Sequence, residues 1–318
     1  MDFTFKTIHE FHNYFNSEKI CYEFLEIQRW GNTPVCPHCG SIKTPYKVKA
    51  RGKFQDIPSY RCSERGCDLP FTVRTGSIFE GSKVELKKWF HAAYELSISK
   101  KSISSIELGI RIGVSQKTAW FINHRLRAML AETNPALLTG DVEIDETYVG
   151  GKEANKHKSK RQPKGTTGAK GKAPMVGLLQ RNGNMVLRAI DADKANGENI
   201  KPIVRQFVSP DAVLHTDGFG AYKDLHKEFA GHNIVYHDKG EYVRGKAHTN
   251  TIEGFWSIMK RGIIGTFHTV SPQHLQRYCD EFAHRYNTRE LKPVQRFAEG
   301  IKNSGNKRLT YKELTSKK

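Results

Sequence analysis

The sequence predicts an α/β (α+β) domain preceded by two small modules, one cysteine-rich and one helical. Three observations carry that expectation. Two close cysteine pairs fall within the first 70 residues, Cys36/Cys39 and Cys62/Cys67. Apolar residues then recur at three- and four-residue spacings between 82 and 132, the period of an amphipathic helix. Past Gly140 the period changes to short β-like runs bounded by Gly, Pro, Asn or Asp, with helical patterns interleaved later. A chain of 318 residues is long enough for two or three such domains, each with its own core.

The cysteine pairs are Cys36-Pro-His-Cys39 and Cys62-Ser-Glu-Arg-Gly-Cys67, with 22 residues between them. A tetrahedral zinc ion needs four soft ligands, and each short turn offers two thiolates from one knuckle. The segment between them alternates as a ribbon requires, so Cys36, Cys39, Cys62 and Cys67 are expected to hold one structural Zn²⁺. His38 sits inside the first knuckle and is expected to point outward. Cys21 and Cys279 have no short-range partner and read as ordinary part-buried thiols.

The run SISSIELGIRIGVSQKTAWFINHRLR fits two helices joined at Gly113, with Gly109 small where they cross and Ser115 as N-cap of the second. As a helix-turn-helix it would offer Gln116, Lys117 and Thr118 near the start of its second helix, then His124, Arg125 and Arg127, to base edges and phosphates. A polyanionic partner agrees with the charge: Lys plus Arg number 51 against 33 Asp plus Glu, a net of +18. No apolar run approaches the roughly 18 residues of a membrane span, and the N-terminus has no apolar signal core, so a cytoplasmic, DNA-associated protein is expected.

Strands are expected at VEIDETYV, APMVGLLQ, NMVLRAID, AVLHTD and NIVYHD, and helices at about 197–208, 249–263 and 271–288. Residues 152–172 carry eight Lys/Arg against Glu153 alone and read as a mobile basic loop; the last seventeen residues, also basic, are expected to fray. Two carboxylates stand out. Asp145 ends VEID and Asp217 ends AVLHTD, and a carboxylate at the end of a buried strand is costly unless it is paired or binds a cation. Oxygen ligands suit Mg²⁺ or Mn²⁺. In HTNTIEGFWSIMKRG, Asn250, Glu253 and Lys260 fall within an arc of about 80° on a helix, while Ile252, Phe255, Trp256 and Met259 line its apolar side.

At these residues the sequence resembles a bacterial insertion-sequence transposase of the ISXO group. The resemblance covers almost the whole chain: the CPHCG knuckle, FTVRTGSIFEGSKVELKKWF, VEIDETYVGGK, LHTDGFGAY and HTNTIEGFWSIMKRG. It implies a catalytic domain of the RNase H-like (retroviral-integrase-like) fold of DDE transposases, a mixed sheet with flanking helices. It also implies catalytic acids at Asp145, Asp217 and a third place on the last helix. Glu253 is taken for that place, with Asn250 as the alternative ligand; Glu143 and Glu146 are less favoured substitutes. The expected reaction is cutting and joining of element ends by two Mg²⁺ (or Mn²⁺) ions about 3.5–4 Å apart, with Lys260 on a phosphate. The expected partners are terminal inverted repeats and target DNA, bound by a homodimer or larger assembly.

The domain organisation that follows is a zinc-ribbon region (1–78), a helix-turn-helix domain (79–135), a catalytic domain (136–292) with the basic loop inside it, and a basic tail (293–318). Two rivals remain on the sequence: a zinc-ribbon/helix-turn-helix regulator with an inactive catalytic domain, and a structure-selective nuclease or resolvase on the same fold. Gly240-Glu-Tyr-Val-Arg-Gly-Lys-Ala247 approaches a phosphate-binding loop, but Ala247 lacks the hydroxyl such a loop needs.

Overall fold

A computed structural model describes residues 5–31, 33–49, 57–151, 157–161, 171–190 and 195–316. Most of the expected basic loop, 152–156 and 162–170, lies outside the described residues. The chain divides into two compact units, residues 1–130 with 290–318 and residues 131–289.

The first unit is built on helices α1 (Ile8–Tyr14), α2 (Glu18–Trp30), α3 (Leu86–Ile98), α4 (Ser105–Ile112) and α5 (Gln116–Leu130). Their starts follow from short polar residues: Thr7, Ser17 and Ser104 each accept an N–H from the first turn of the helix they cap. Helix α3 has no side-chain cap of its own. Instead Glu18 accepts the Leu86 and Lys87 N–H groups at 2.6 and 3.3 Å, fastening α2 to α3. The core is aromatic, with Phe15 edge-on to Phe90 (5.1 Å) and Phe297 edge-on to Phe11 and Phe90 (5.5 and 5.6 Å).

Phe297 belongs to the segment expected as a basic tail, and here the structure corrects the sequence reading. A helix over Pro293–Lys302 buries Val294, Phe297 and Ile301 in this core, and the short helix Tyr311–Thr315 buries Leu314. The basic count described only the outer face of that segment. The spacing of Val294, Phe297 and Ile301 is the helical period that holds it down.

Within the same unit, β1 (Tyr46–Val48), β2 (Ser59–Arg61) and β3 (Pro70–Phe71) form a three-stranded antiparallel sheet. Its apolar content is small: Tyr60 and Phe71 stack at 5.6 Å, and Trp30 meets both edge-on.

The second unit carries a five-stranded sheet in the order β6-β5-β4-β7-β8, built from β4 (Asp141–Val149), β5 (Ala173–Gln180), β6 (Met185–Ala189), β7 (Val213–Asp217) and β8 (Gly231–Val235). The first three strands are antiparallel neighbours, whereas β7 joins β4 and β8 joins β7 in parallel, so the sheet is mixed. Helix α6 (Gly197–Phe207) covers one face with Ile200 and Val204 against Val142, Ile144 and Leu214. Helices α7 (Asn250–Gly262) and α8 (Leu275–Asn287) cover the other, placing Ile252, Trp256 and Phe282 against Met175 and Leu179. Strand alternation therefore sends Glu143 and Asp145 toward α7. Cys279 and, in the first unit, Cys21 are buried, and burial raises both thiols.

Gly177 pairs with Asp145 across β4 and β5, and a Cβ there would lie 2.7 Å from Trp256 Cζ2 and 2.8 Å from Ile252 Cδ1. The close seat of α7 thus depends on a missing side chain. Gly177→Ala is expected to destabilise this unit by about 1–3 kcal/mol, the usual size of core overpacking. The urea midpoint of the variant measures it.

Candidate active site

The register of β4 against β7 pairs Asp141 with Val213 and Glu143 with His215, where the pairing stops. Carried two residues further, the same register brings Asp145, which lies midway along β4 rather than at the strand end its sequence suggested, level with Asp217, the last residue of β7, where these two strands no longer pair. Single ligand atoms of Asp145, Glu146 and Asp217 all lie within 4.8 Å of one another. Asp145 Oδ2 accepts from Trp256 Nε1 (2.8 Å), Glu146 Oε2 from Tyr222 Oη (2.5 Å), and Asp217 Oδ1 from Phe219 N–H (3.0 Å). Among the described residues, none of the three forms an ion pair with Lys or Arg.

Three carboxylates so close, with neutral donors alone, should resist ionising, and they do. Burial pushes the Asp145 carboxyl up to about 6, opposed by the Trp256 N–H and reinforced by the charges of Asp217 and Glu253. Burial pushes Glu146 up to about 7, again with its hydroxyl donor opposing and Asp145 and Asp217 adding to the rise. Asp217 is raised as well, by burial first and by Glu253 last.

A carboxyl raised in the folded state binds its proton more tightly than in the unfolded chain. Its stabilising contribution is complete below the ordinary value near 4 and is lost as pH climbs through about 6 to 7. In chelator-treated protein, the urea midpoint should therefore fall between pH 5 and 8. It should fall less in the Asp145→Asn, Glu146→Gln double variant, and equal slopes would contradict the assignment.

Glu253 stands outside the 4.8 Å group. Its Oε1 accepts from Thr249 Oγ1 at 2.7 Å and lies 3.5 Å from His237 Nε2, yet its charge still acts on both Asp145 and Asp217. Asn250 is the exposed first residue of α7, and Lys260 is exposed two turns beyond Glu253. The sequence left Glu146, like Glu143, as a less favoured substitute for the third acid. It faces the α6 side, toward buried Tyr222, but where β4 runs past its pairing with β7 its carboxylate joins its neighbours. His237, beside Glu253 and near enough for its charge to act on Asp217, had no sequence signal.

The donor set fits a hard divalent cation: oxygen ligands only, converging, with excess negative charge that a cation would relieve. The four cysteines fit zinc. Cys36 Sγ lies 3.8 Å from Cys67 Sγ and Cys39 Sγ 3.7 Å from Cys62 Sγ, and all four fall within 4.8 Å. A tetrahedron with zinc–sulfur bonds of about 2.3 Å has edges of about 3.8 Å. The four-cysteine cluster is therefore that of a zinc ribbon, and His38 stays out of it, with Nε2 3.3 Å from Pro70 O.

Helices α4 and α5 meet through Gly113, whose φ of 63° is the left-handed cap expected there, and Ser115 accepts the Thr118 N–H. Gln116 and Lys117 are exposed and Thr118 half-buried at the start of α5. His124, Arg125 and Arg127 are buried, which corrects their placement among DNA-facing residues. His124 packs edge-on to Trp120, while the Arg125 guanidinium lies over the Trp89 and Phe121 rings and donates to Glu80 O at 2.6 Å. These side chains brace the helices.

Two family models match the chain in order: a transposase zinc-ribbon domain over residues 16–68 and an ISXO2-like transposase domain over residues 137–287. An uncharacterized protein in transposable element ISH50 of Halobacterium salinarum is 32% identical over 278 residues, covering 84% of this chain and 90% of the relative. An uncharacterized transposase-like protein of Haemophilus influenzae is 30% identical over 91 residues, 29% of this chain and 72% of the relative. No helix among the described residues is long and apolar enough to cross a membrane. With similarity sustained over nine-tenths of a relative from a transposable element, and both domains in sequence, the chain belongs to the ISXO2-like transposase family.

Proposed function

We propose that the unit of residues 131–289 cuts insertion-sequence ends and joins them to target DNA by metal-dependent phosphodiester chemistry. The observation that carries this is the convergence of Asp145, Glu146 and Asp217 where β4 runs past its pairing with β7, without a Lys or Arg partner among the described residues. Asp145 and Asp217 would hold Mg²⁺ or Mn²⁺, two ions in all, with Glu146 beside them. Glu253 is the further ligand from α7 and Asn250 the alternative. When bound, the ions supply Lewis-acid activation of the attacking oxygen and stabilisation of the leaving 3′ oxygen.

The chain's own residues do the rest. The Trp256 N–H and Tyr222 hydroxyl hold the Asp145 and Glu146 carboxylates in place, and the Thr249 hydroxyl holds Glu253. Lys260, on the face of α7 that carries Glu253, would contact a phosphate of the transferred end. Water attacks the scissile phosphate first, and the freed 3′-hydroxyl then attacks target DNA, with no covalent enzyme intermediate.

In this reading the first unit recognises the element's terminal inverted repeats. The zinc ribbon and the start of α5 (exposed Gln116 and Lys117 with half-buried Thr118) are its contacts, and the chain's +18 net charge supplies the general attraction to DNA. Joining two ends calls for at least a dimer assembled on DNA. The test compares cleavage of end DNA in Mn²⁺ by wild type, Glu253→Gln and Asn250→Ala. The expected result is loss, at least about a hundredfold, in Glu253→Gln. Cleavage that survives Glu253→Gln but not Asn250→Ala moves the ligand to Asn250. End binding without cleavage by the wild type favours a DNA-binding regulator.

A further inference from the structure

The side chain of Glu143 is fully buried, two residues before Asp145 on the same strand face. A buried carboxylate is expensive unless its oxygens are satisfied, and these are. Oε1 accepts from Arg181 Nε at 2.8 Å and Thr251 Oγ1 at 3.0 Å; Oε2 accepts the backbone N–H groups of Thr251 and Ile252, both at 3.0 Å. His248 Nδ1 lies 3.2 Å from Oε1. Arg181 sends its other two nitrogens to Lys246 O and His248 O, both at 2.8 Å. The pair therefore grips the loop before α7 and the first turn of α7 together.

Thr251 and Ile252 carry first-turn N–H groups that a helix cannot satisfy internally. The N-cap residue, Thr249, would ordinarily take one of them, but its side chain makes no capping bond. With Glu143 occupying that role, the Thr249 hydroxyl is free to bond Glu253. A serine or threonine cap alone would serve stability, and a buried ion pair is often no better for stability than apolar packing. What Glu143 adds is a fixed link between the strand bearing Asp145 and the helix bearing Glu253 and Asn250.

We propose that Glu143, with Arg181, is a positioning residue that sets the α7 ligand against the strand carboxylates and so tunes the affinity of the acid cluster for divalent cations. The inference rests on the metal-binding reading above. It is tested by Mn²⁺ titration of the zinc-loaded full chain, followed by electron paramagnetic resonance. Glu143→Gln should weaken Mn²⁺ binding about 10- to 100-fold, the range for partners that orient a metal ligand. In a background of Asn250→Ala with Glu253→Gln, which strips α7 of both candidate ligands, it should change nothing further.

An equal loss in both backgrounds, or no loss in either, overturns the proposal, because a general structural defect would not depend on the α7 ligands. If Glu143→Gln does not fold, Arg181→Lys decides: it keeps the charge, loses the forked grip on residues 246 and 248, and should show a smaller loss with the same dependence. Wild type that binds no Mn²⁺ overturns the metal reading itself, and the positioning role with it. Wild type that binds while Glu143→Gln binds equally well overturns the positioning role alone.

Discussion

Asp217→Asn should abolish strand cleavage while leaving binding of end DNA intact. The substitution keeps the volume of the side chain and an oxygen for the Phe219 N–H, which now approaches Asp217 Oδ1 at 3.0 Å. What it removes is the charge that would hold a divalent ion between β4 and β7. A loss of at least about a thousandfold in rate corresponds to about 4 kcal/mol of barrier. Folding should not suffer, because Asp217 is already raised by burial and by Glu253, so neutralising it relieves repulsion in the metal-free protein. Binding should persist because the helix-turn-helix and zinc ribbon belong to the other unit. Gel-shift and cleavage assays on the same preparation check both halves. Cleavage at the wild-type rate would remove Asp217 from the mechanism.

Cys62→Ser should release the zinc ion and unfold residues 33–49 and 57–71 without unfolding the helices around them. The three strands of this region are two or three residues long, and its apolar cluster amounts to Cys36, Tyr60, Cys62 and Phe71 with Trp30 and Cys67 against it. A sheet so small does not hold itself together. Structural zinc contributes on the order of 10 kcal/mol in comparable modules, so its loss is decisive locally. The aromatic core of Phe11, Phe15, Phe90 and Phe297 is a separate cluster and should stay protected. Hydrogen exchange should show new fast exchange, among the described residues, confined to 33–49 and 57–71; zinc analysis should fall from one ion to none, and end binding should weaken. Unchanged protection across 33–49 and 57–71 would mean the thiolates are not what holds the ribbon.

Much of this was legible in the sequence because the signals were local. Two C-x₂₋₄-C turns impose a ligand set by spacing alone, and the ligand spacing agrees with zinc. The strands bearing Asp145 and Asp217, and the α7 helix with Trp256 on its inner face, followed from periodicity, although β4 runs on to Val149 instead of ending at Asp145. The misses have physical causes. A helical template assigns polar residues outward, but Arg125 is long enough to lay its guanidinium on two rings and is buried by doing so. Charge counting turned residues 293–318 into a tail and overlooked the apolar stripe of Val294, Phe297 and Ile301. Glu146 joins the acid cluster because β4 outruns its pairing with β7, and Glu143 caps a helix more than a hundred residues away. Neither relation has a local pattern to betray it.

The most direct test of the account is strand transfer by the purified zinc-loaded chain. The substrates are its element's end DNA, pre-cut to expose a 3′-hydroxyl, and a supercoiled target plasmid, in Mg²⁺ or Mn²⁺. The account predicts joined products that require the divalent ion and vanish in Asp145→Ala. Tight end binding with no joined product in either metal would contradict it and leave a protein that recognises DNA without cutting it.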